Sequence, residues 1–157
     1  MPRQRSILSL ILVLLATFLI SCGGPSVATP PPTYTQAQVV KIQEYIPEIQ
    51  AVRDRSQELQ RLIETKQWIK VRNFTHGPMA EARLSMNYVT SNLFPKDQAA
   101  GRELVRDLLD HLIKIDAAAD VGNTNSALNN SVAAFADIDR FLQLVPKTSS
   151  QSEESQA

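Results

Sequence analysis

From Thr35 onward the apolar residues of this chain fall three or four positions apart, the spacing that lines one face of an α-helix. Val39, Ile42, Ile46, Ile49, Val52, Leu59 and Ile63 make a first stripe, and Thr35 with Gln38 supplies a capping box at its start. Pro47 lies inside this stripe and is expected to kink or interrupt the helix, because it removes one backbone bond and crowds the preceding turn. A second stripe follows through Trp68, Val71, Thr75, Met79, Ala82, Met86, Val89 and Leu93, and Pro95 stops it. Within it His76-Gly77-Pro78 reads as a local kink in a continuous helix, since the stripe holds its phase across the site. On this reading His76 closes a backbone bond left open by Pro78.

The third stripe, from near Lys96-Asp97 to about Ala119, carries Leu104, Leu108, Leu112 and Ile115, widened by Val105 and Leu109. Gly122 then suits a helix C-terminus, and Asn123, Thr124 and Asn125 are all competent N-caps. The fourth stripe holds Leu128, Phe135, Ile138, Leu142 and Val145 before Pro146 ends it. Four helices with short connections, one apolar face each and no strand-like alternation predict an all-α, up-down-up-down four-helix bundle over residues 35–146.

The flanks have a different texture. Arg3 and Arg5 precede an apolar run at residues 7–20, about 14 residues long, which is too short to span a bilayer but fits the core of a secretory signal. The run closes on Leu19-Ile20-Ser21-Cys22, which resembles the lipobox of bacterial lipoproteins. That resemblance implies a signal peptide at 1–21 and a diacylglyceryl group on Cys22, the only cysteine of the chain. Residues 22–34, rich in glycine and proline, read as a flexible tether, and the polar residues 147–157 as a disordered tail. Two or three acyl chains hold a protein at a membrane where one lets it go, so a lipid on Cys22 would replace a transmembrane helix.

Charge and chemistry narrow the function. The 16 basic and 16 acidic side chains are interleaved, which argues against nucleic acid as a partner. Phosphate loops, zinc-protease and nucleophile-elbow motifs are absent, and no cofactor is expected. The two histidines, His76 and His111, lack the glutamate three residues earlier that di-metal bundles use. His111 with Asp107 is a weak candidate for a surface metal site. Trp68 and Tyr88 are candidate partner anchors, although Trp68 on a helical stripe is more often core. Arg53, Arg55, Arg61, Lys66, Lys70 and Arg72 form the most basic stretch, either a solvated face laced with Glu58 and Glu64 or a surface for an acidic partner.

Several strings then act together: Trp68, "HGPM" at 76–79 followed by Arg83 and Met86, "FPKDQ" at 94–98, "HLIKIDAAA" at 111–119 and "FLQLVP" at 141–146. With the lipobox they resemble the cyanobacterial PsbQ-like lipoproteins, extrinsic subunits on the lumenal side of photosystem II. The resemblance implies a four-helix bundle that is not an enzyme and docks near a core antenna subunit and the manganese-stabilising extrinsic protein. It further implies help in retaining calcium and chloride, in assembly or in dimer stability, and a lipid-anchored place on the lumenal face of the thylakoid membrane. Two other readings stand beside it: a periplasmic lipoprotein holding a small ligand in its core, for which Ser56 and Thr75 are the polar groups at hand, and a metal carrier using the histidines.

Overall fold

The computed structural model describes residues 33–146. The signal, Cys22, most of the tether and the polar tail lie outside the described residues. The described chain is helical, with no strand among those residues. It comprises α1 (Gln36–Arg53), α2 (Ser56–Glu64), α3 (Trp68–Phe74), a π-helical turn (Thr75–Met79), α4 (Ala80–Asn92), α5 (Pro95–Asp120) and α6 (Thr124–Leu144). These segments make four rods: α1 with α2, α3 with the π turn and α4, α5, and α6. Each rod packs on the next, and α1 and α2 also pack on α6, so the up-down-up-down bundle closes on itself.

The stripes form the core. Ile42, Ile49, Leu59, Ile63, Met79, Met86, Leu108, Ile115, Ile138 and Phe141 are fully buried. Removing that much apolar surface from water is the main stabilising term, at roughly 25 cal/mol per Å2. Leu109, expected to widen the third stripe, is instead 39% exposed, and Trp68 is only half-buried against the core. Phe141 takes the deep position beside Leu142, which lies at the margin. Buried Gly101 lets α5 approach α4 closely, since a Cβ there would lie 2.8 Å from the Thr90 hydroxyl.

The interruption of the first rod falls after Arg53, not at Pro47. Pro47 is exposed within a continuous α1, where water can serve the carbonyl it leaves unbonded. The break at Asp54-Arg55 coincides with the one stretch of the stripe that lacks an apolar residue, between Val52 and Leu59. Arg55 NH bonds the Val52 carbonyl at 3.0 Å, a three-residue closure that ends the α pattern. In the second rod the helix is continuous, and the irregularity at residues 75–79 is a π turn. Val71, Thr75 and Met79 are spaced by two steps of four, which in an α-helix would set Met79 about 80° around the axis from Val71. A π turn winds less per residue, and so returns Met79 to the interior.

The local stop signals work as their chemistry requires. Gln38 NH donates to the Thr35 hydroxyl and Thr35 NH to the Gln38 side chain, completing the capping box. Tyr34 stacks on Phe94 with centroids 3.7 Å apart, and its hydroxyl accepts from Phe94 NH. Gly122 adopts a φ of 67°, while Gly122 NH and Asn123 NH bond the Ala119 and Ala118 carbonyls. Asn123 then caps α6 by accepting from Ser126 NH. The matching connection between α2 and α3 has the same pair of bonds, from Lys66 NH to Ile63 and from Gln67 NH to Leu62. There the left-handed position, with φ of 55°, is held by Lys66.

A left-handed lysine costs about 1 kcal/mol relative to glycine. Lys66→Gly is therefore expected to raise the midpoint of thermal unfolding by a few degrees. A lowered midpoint, measured by circular dichroism, would contradict this account of the turn.

Candidate functional site

The structure divides the basic stretch among three rod interfaces. Arg53, at the end of α1, donates to Asp139 of α6 at 2.8 Å and to neighbouring Asp54 at 3.4 Å. Arg55 pairs with Glu58 at 2.8 Å, and its guanidinium sits 4.7 Å above the Phe74 ring. Arg72, on α3, reaches Asp116 at 3.0 Å and Asp120 at 2.7 Å across the groove to α5. These three arginines fasten rods together. Arg61, Lys66 and Lys70 are exposed, and among the described residues none has a carboxylate within 4.0 Å. The part of the basic stretch left without an ion pair therefore lies toward the end where α2 turns into α3.

Asp116 is the hub between the second and third rods. Besides Arg72 it accepts from His76 Nε2 at 2.9 Å, so His76 serves an inter-rod bond and not a backbone group freed by Pro78. Burial alone would raise the Asp116 carboxyl, but the hydrogen bond from His76 and the charge of Arg72 outweigh it and hold it below its ordinary range. A fully buried second carboxylate, Asp137, ties α6 to α5. It accepts from His111 Nδ1 at 2.7 Å and from Arg140 on its own helix. Asp137 was not singled out from the sequence, yet it stands three residues after Ala134 and four before Phe141, both buried. A charged residue at such a stripe position is the signal that could have found it.

His111 is thus committed through Nδ1 to Asp137, not to Asp107 as a first metal-ligand pair. Among the described residues no group of three or more His, Cys, Asp or Glu could hold a metal ion. Thr75 is buried, but its hydroxyl is spent on the Arg72 carbonyl at 2.9 Å. Among the described residues no buried side-chain nitrogen or oxygen lacks a partner. A groove of about 550 Å3 opens between the first two rods, floored by Val52 and Ala82 and flanked by Tyr45 and Tyr88, which stack at 5.2 Å. None of these features assembles a reacting centre. What the surface offers instead is exposed apolar residues: Ile69, next to Lys70 in the chain, is 78% exposed, Val121 77% and Tyr88 49%.

Comparison with known proteins places this closed helical bundle in a family. The model of the PsbQ family, described as oxygen evolving enhancer protein 3, matches residues 3–146, and the chain belongs to that family. It is similar to CyanoQ of Synechocystis sp., with 39% identity over 150 residues, covering 95% of this chain and all of that relative. The resemblance carried by the short strings of the sequence is thereby borne out, and so is the helical bundle it implied.

Two measurements test the fastening groups. The lowered Asp116 carboxyl gives stability that is fully present above about pH 4 and is lost as pH falls through the folded-state value. Asp116→Asn should therefore be less stable than the unaltered chain at pH 7, with the difference shrinking in urea unfolding as pH is lowered below about 4. A difference independent of pH would contradict the assignment. His111→Leu, which strips a partner from a fully buried carboxylate, is expected to cost about 3 kcal/mol. Adding Asp137→Leu should cost less than the sum of the two single changes, and strict additivity would show that the pair is not coupled.

Proposed function

We propose that this protein is a non-catalytic extrinsic subunit that docks on the lumenal face of photosystem II and stabilises the oxygen-evolving complex. Membership of the PsbQ family across residues 3–146 carries this reading, because it places the whole bundle, not a fragment, in the oxygen evolving enhancer family. The partners are a core antenna subunit and the manganese-stabilising extrinsic protein, and the effect is retention of calcium and chloride with support for assembly or dimer stability. The mechanism is mass action: a protein that binds only the assembled state stabilises that state by the free energy of its own binding. No residue of the bundle needs to touch the metal cluster for this.

The anchor belongs to the same proposal. Cys22 carries a diacylglyceryl group, and the tether at 22–34 holds the bundle at the lumenal side of the thylakoid membrane. Confinement beside the target raises the effective concentration at a site of modest affinity. No described helix is long and apolar enough to cross a membrane. The acyl chains supply roughly 0.8 kcal/mol per buried methylene, independently of the bundle's fold.

Cys22→Ser is accordingly expected to move the protein from the membrane to the soluble fraction while leaving its helical circular dichroism unchanged. Membrane retention equal to that of the unaltered chain would remove the lipid from the account. A pull-down of the tagged full-length chain from detergent-solubilised photosynthetic membranes tests the docking itself. Recovery of photosystem II core, diminishing as salt is raised, supports it. Recovery of the chain alone under gentle conditions contradicts it.

A further inference from the structure

The bundle has two unlike ends. One holds the start of α1, the connection at residues 93–94 and the end of α6, where Tyr34 covers Phe94 and Gln43 donates to the Pro146 carbonyl. The chain enters from its N-terminal segment there. The other end is made by the connections 65–67 and 121–123, which come together because the rods are antiparallel. Trp68 lies against Gly122, its indole nitrogen 3.6 Å from where a Cβ on that glycine would stand. Arg72 clips α3 to Asp120 one residue before Val121.

Three independent observations single out this second end. Ile69 and Val121 are the two most exposed of the large exposed hydrophobics in the described chain, and both lie here, flanking half-buried Trp68. Lys66, Lys70 and Arg61, the members of the basic stretch without a carboxylate within 4.0 Å, are on the same side. The turn places Lys66 in a left-handed conformation that its counterpart at residue 122 gives to glycine. Glycine would hold that conformation at lower cost, and the property lysine adds at that point is charge. A half-buried aromatic, two exposed aliphatics and cations without a carboxylate within 4.0 Å have the composition of an interface core with a charged rim.

Resting on the docking reading above, we infer that this end of the bundle is the contact surface, seating Ile69 and Val121 in an apolar socket on an acidic protein face that receives Lys66, Lys70 and Arg61. A lipid surface fits less well. Binding to anionic membranes takes a cluster of about four to eight basic residues, whereas here Glu64, Asp116 and Asp120 nearly balance Arg61, Lys66, Lys70 and Arg72. Point-matched charge on a protein tolerates that mixture.

The test titrates the full-length chain onto detergent-solubilised photosystem II core complexes at several salt concentrations. Ile69→Ser with Val121→Ser should weaken binding at least tenfold, and Lys66→Glu with Lys70→Glu should do the same while flattening the salt dependence. Both double variants should melt as the unaltered chain does, since the side chains changed are exposed. Val40→Ser with Val132→Ser, which removes comparably exposed aliphatics elsewhere on the bundle, should bind normally. Tip variants that bind normally while the Val40/Val132 variant fails would overturn the assignment of the tip and leave docking intact. Failure of the unaltered chain to bind would overturn docking and the tip together. Binding of the unaltered chain to phosphatidylglycerol vesicles, or self-association, either one lost in the Ile69/Val121 variant while core binding is kept, would reassign the patch and overturn the proposal.

Discussion

Every feature of this bundle depends on one constraint: each rod has a single apolar face, and that face must stay turned inward along its whole length. Where the sequence spacing keeps step with the helix, as from Leu108 through Leu112 to Ile115, nothing special is needed. Where it does not, the backbone changes. Two successive steps of four at Val71, Thr75 and Met79 produce the π turn, and the apolar gap between Val52 and Leu59 permits the break at Asp54-Arg55. The irregularities are corrections of phase that let four imperfect stripes share one core.

That core is fastened by charge at its margins. Arg53 with Asp139, Arg72 with Asp116 and Asp120, and His111 with Asp137 each join two rods, and two of the carboxylates are shared by a second cation or imidazole. Exposed pairs of this kind contribute little individually, typically below about 1 kcal/mol. Their effect is to choose which rods lie side by side, since a mispaired neighbour would take His111 from the buried Asp137 and leave it only Arg140 of its own helix. Of the basic stretch, Arg61, Lys66 and Lys70 are not consumed in this way and lie toward one end of the bundle, where they are available to another molecule.

The sequence showed the parts of this architecture that are local. Stripes, the capping box at Thr35, the stop at Pro95 and the turn at Gly122 are decided by residues within one or two turns of each other, and all are found where that chemistry puts them. The break after Arg53 was misplaced to Pro47, because the rule that proline interrupts a helix takes no account of which side of the rod faces water. The roles of His76 and His111 were out of reach for a different reason. Their partners, Asp116 and Asp137, are 40 and 26 residues away, and only the packed bundle brings them together. The basic stretch was visible as composition, but its division into three fastening arginines and a free group near Lys66 follows from the position of carboxylates on other rods. Short motifs spread over the chain carried the family, since a set of strings in fixed order is more specific than any one stripe.

The contact proposed between this bundle and photosystem II is end-on. The most direct measurement places a photoreactive amino acid at position 69 of the full-length chain and, separately, at position 132, then irradiates each with photosystem II core complexes and identifies the adducts by mass spectrometry. The account predicts that position 69 joins the chain to an acidic segment of a lumenal subunit and that position 132 yields none. Adducts from position 132 with none from position 69 would contradict it.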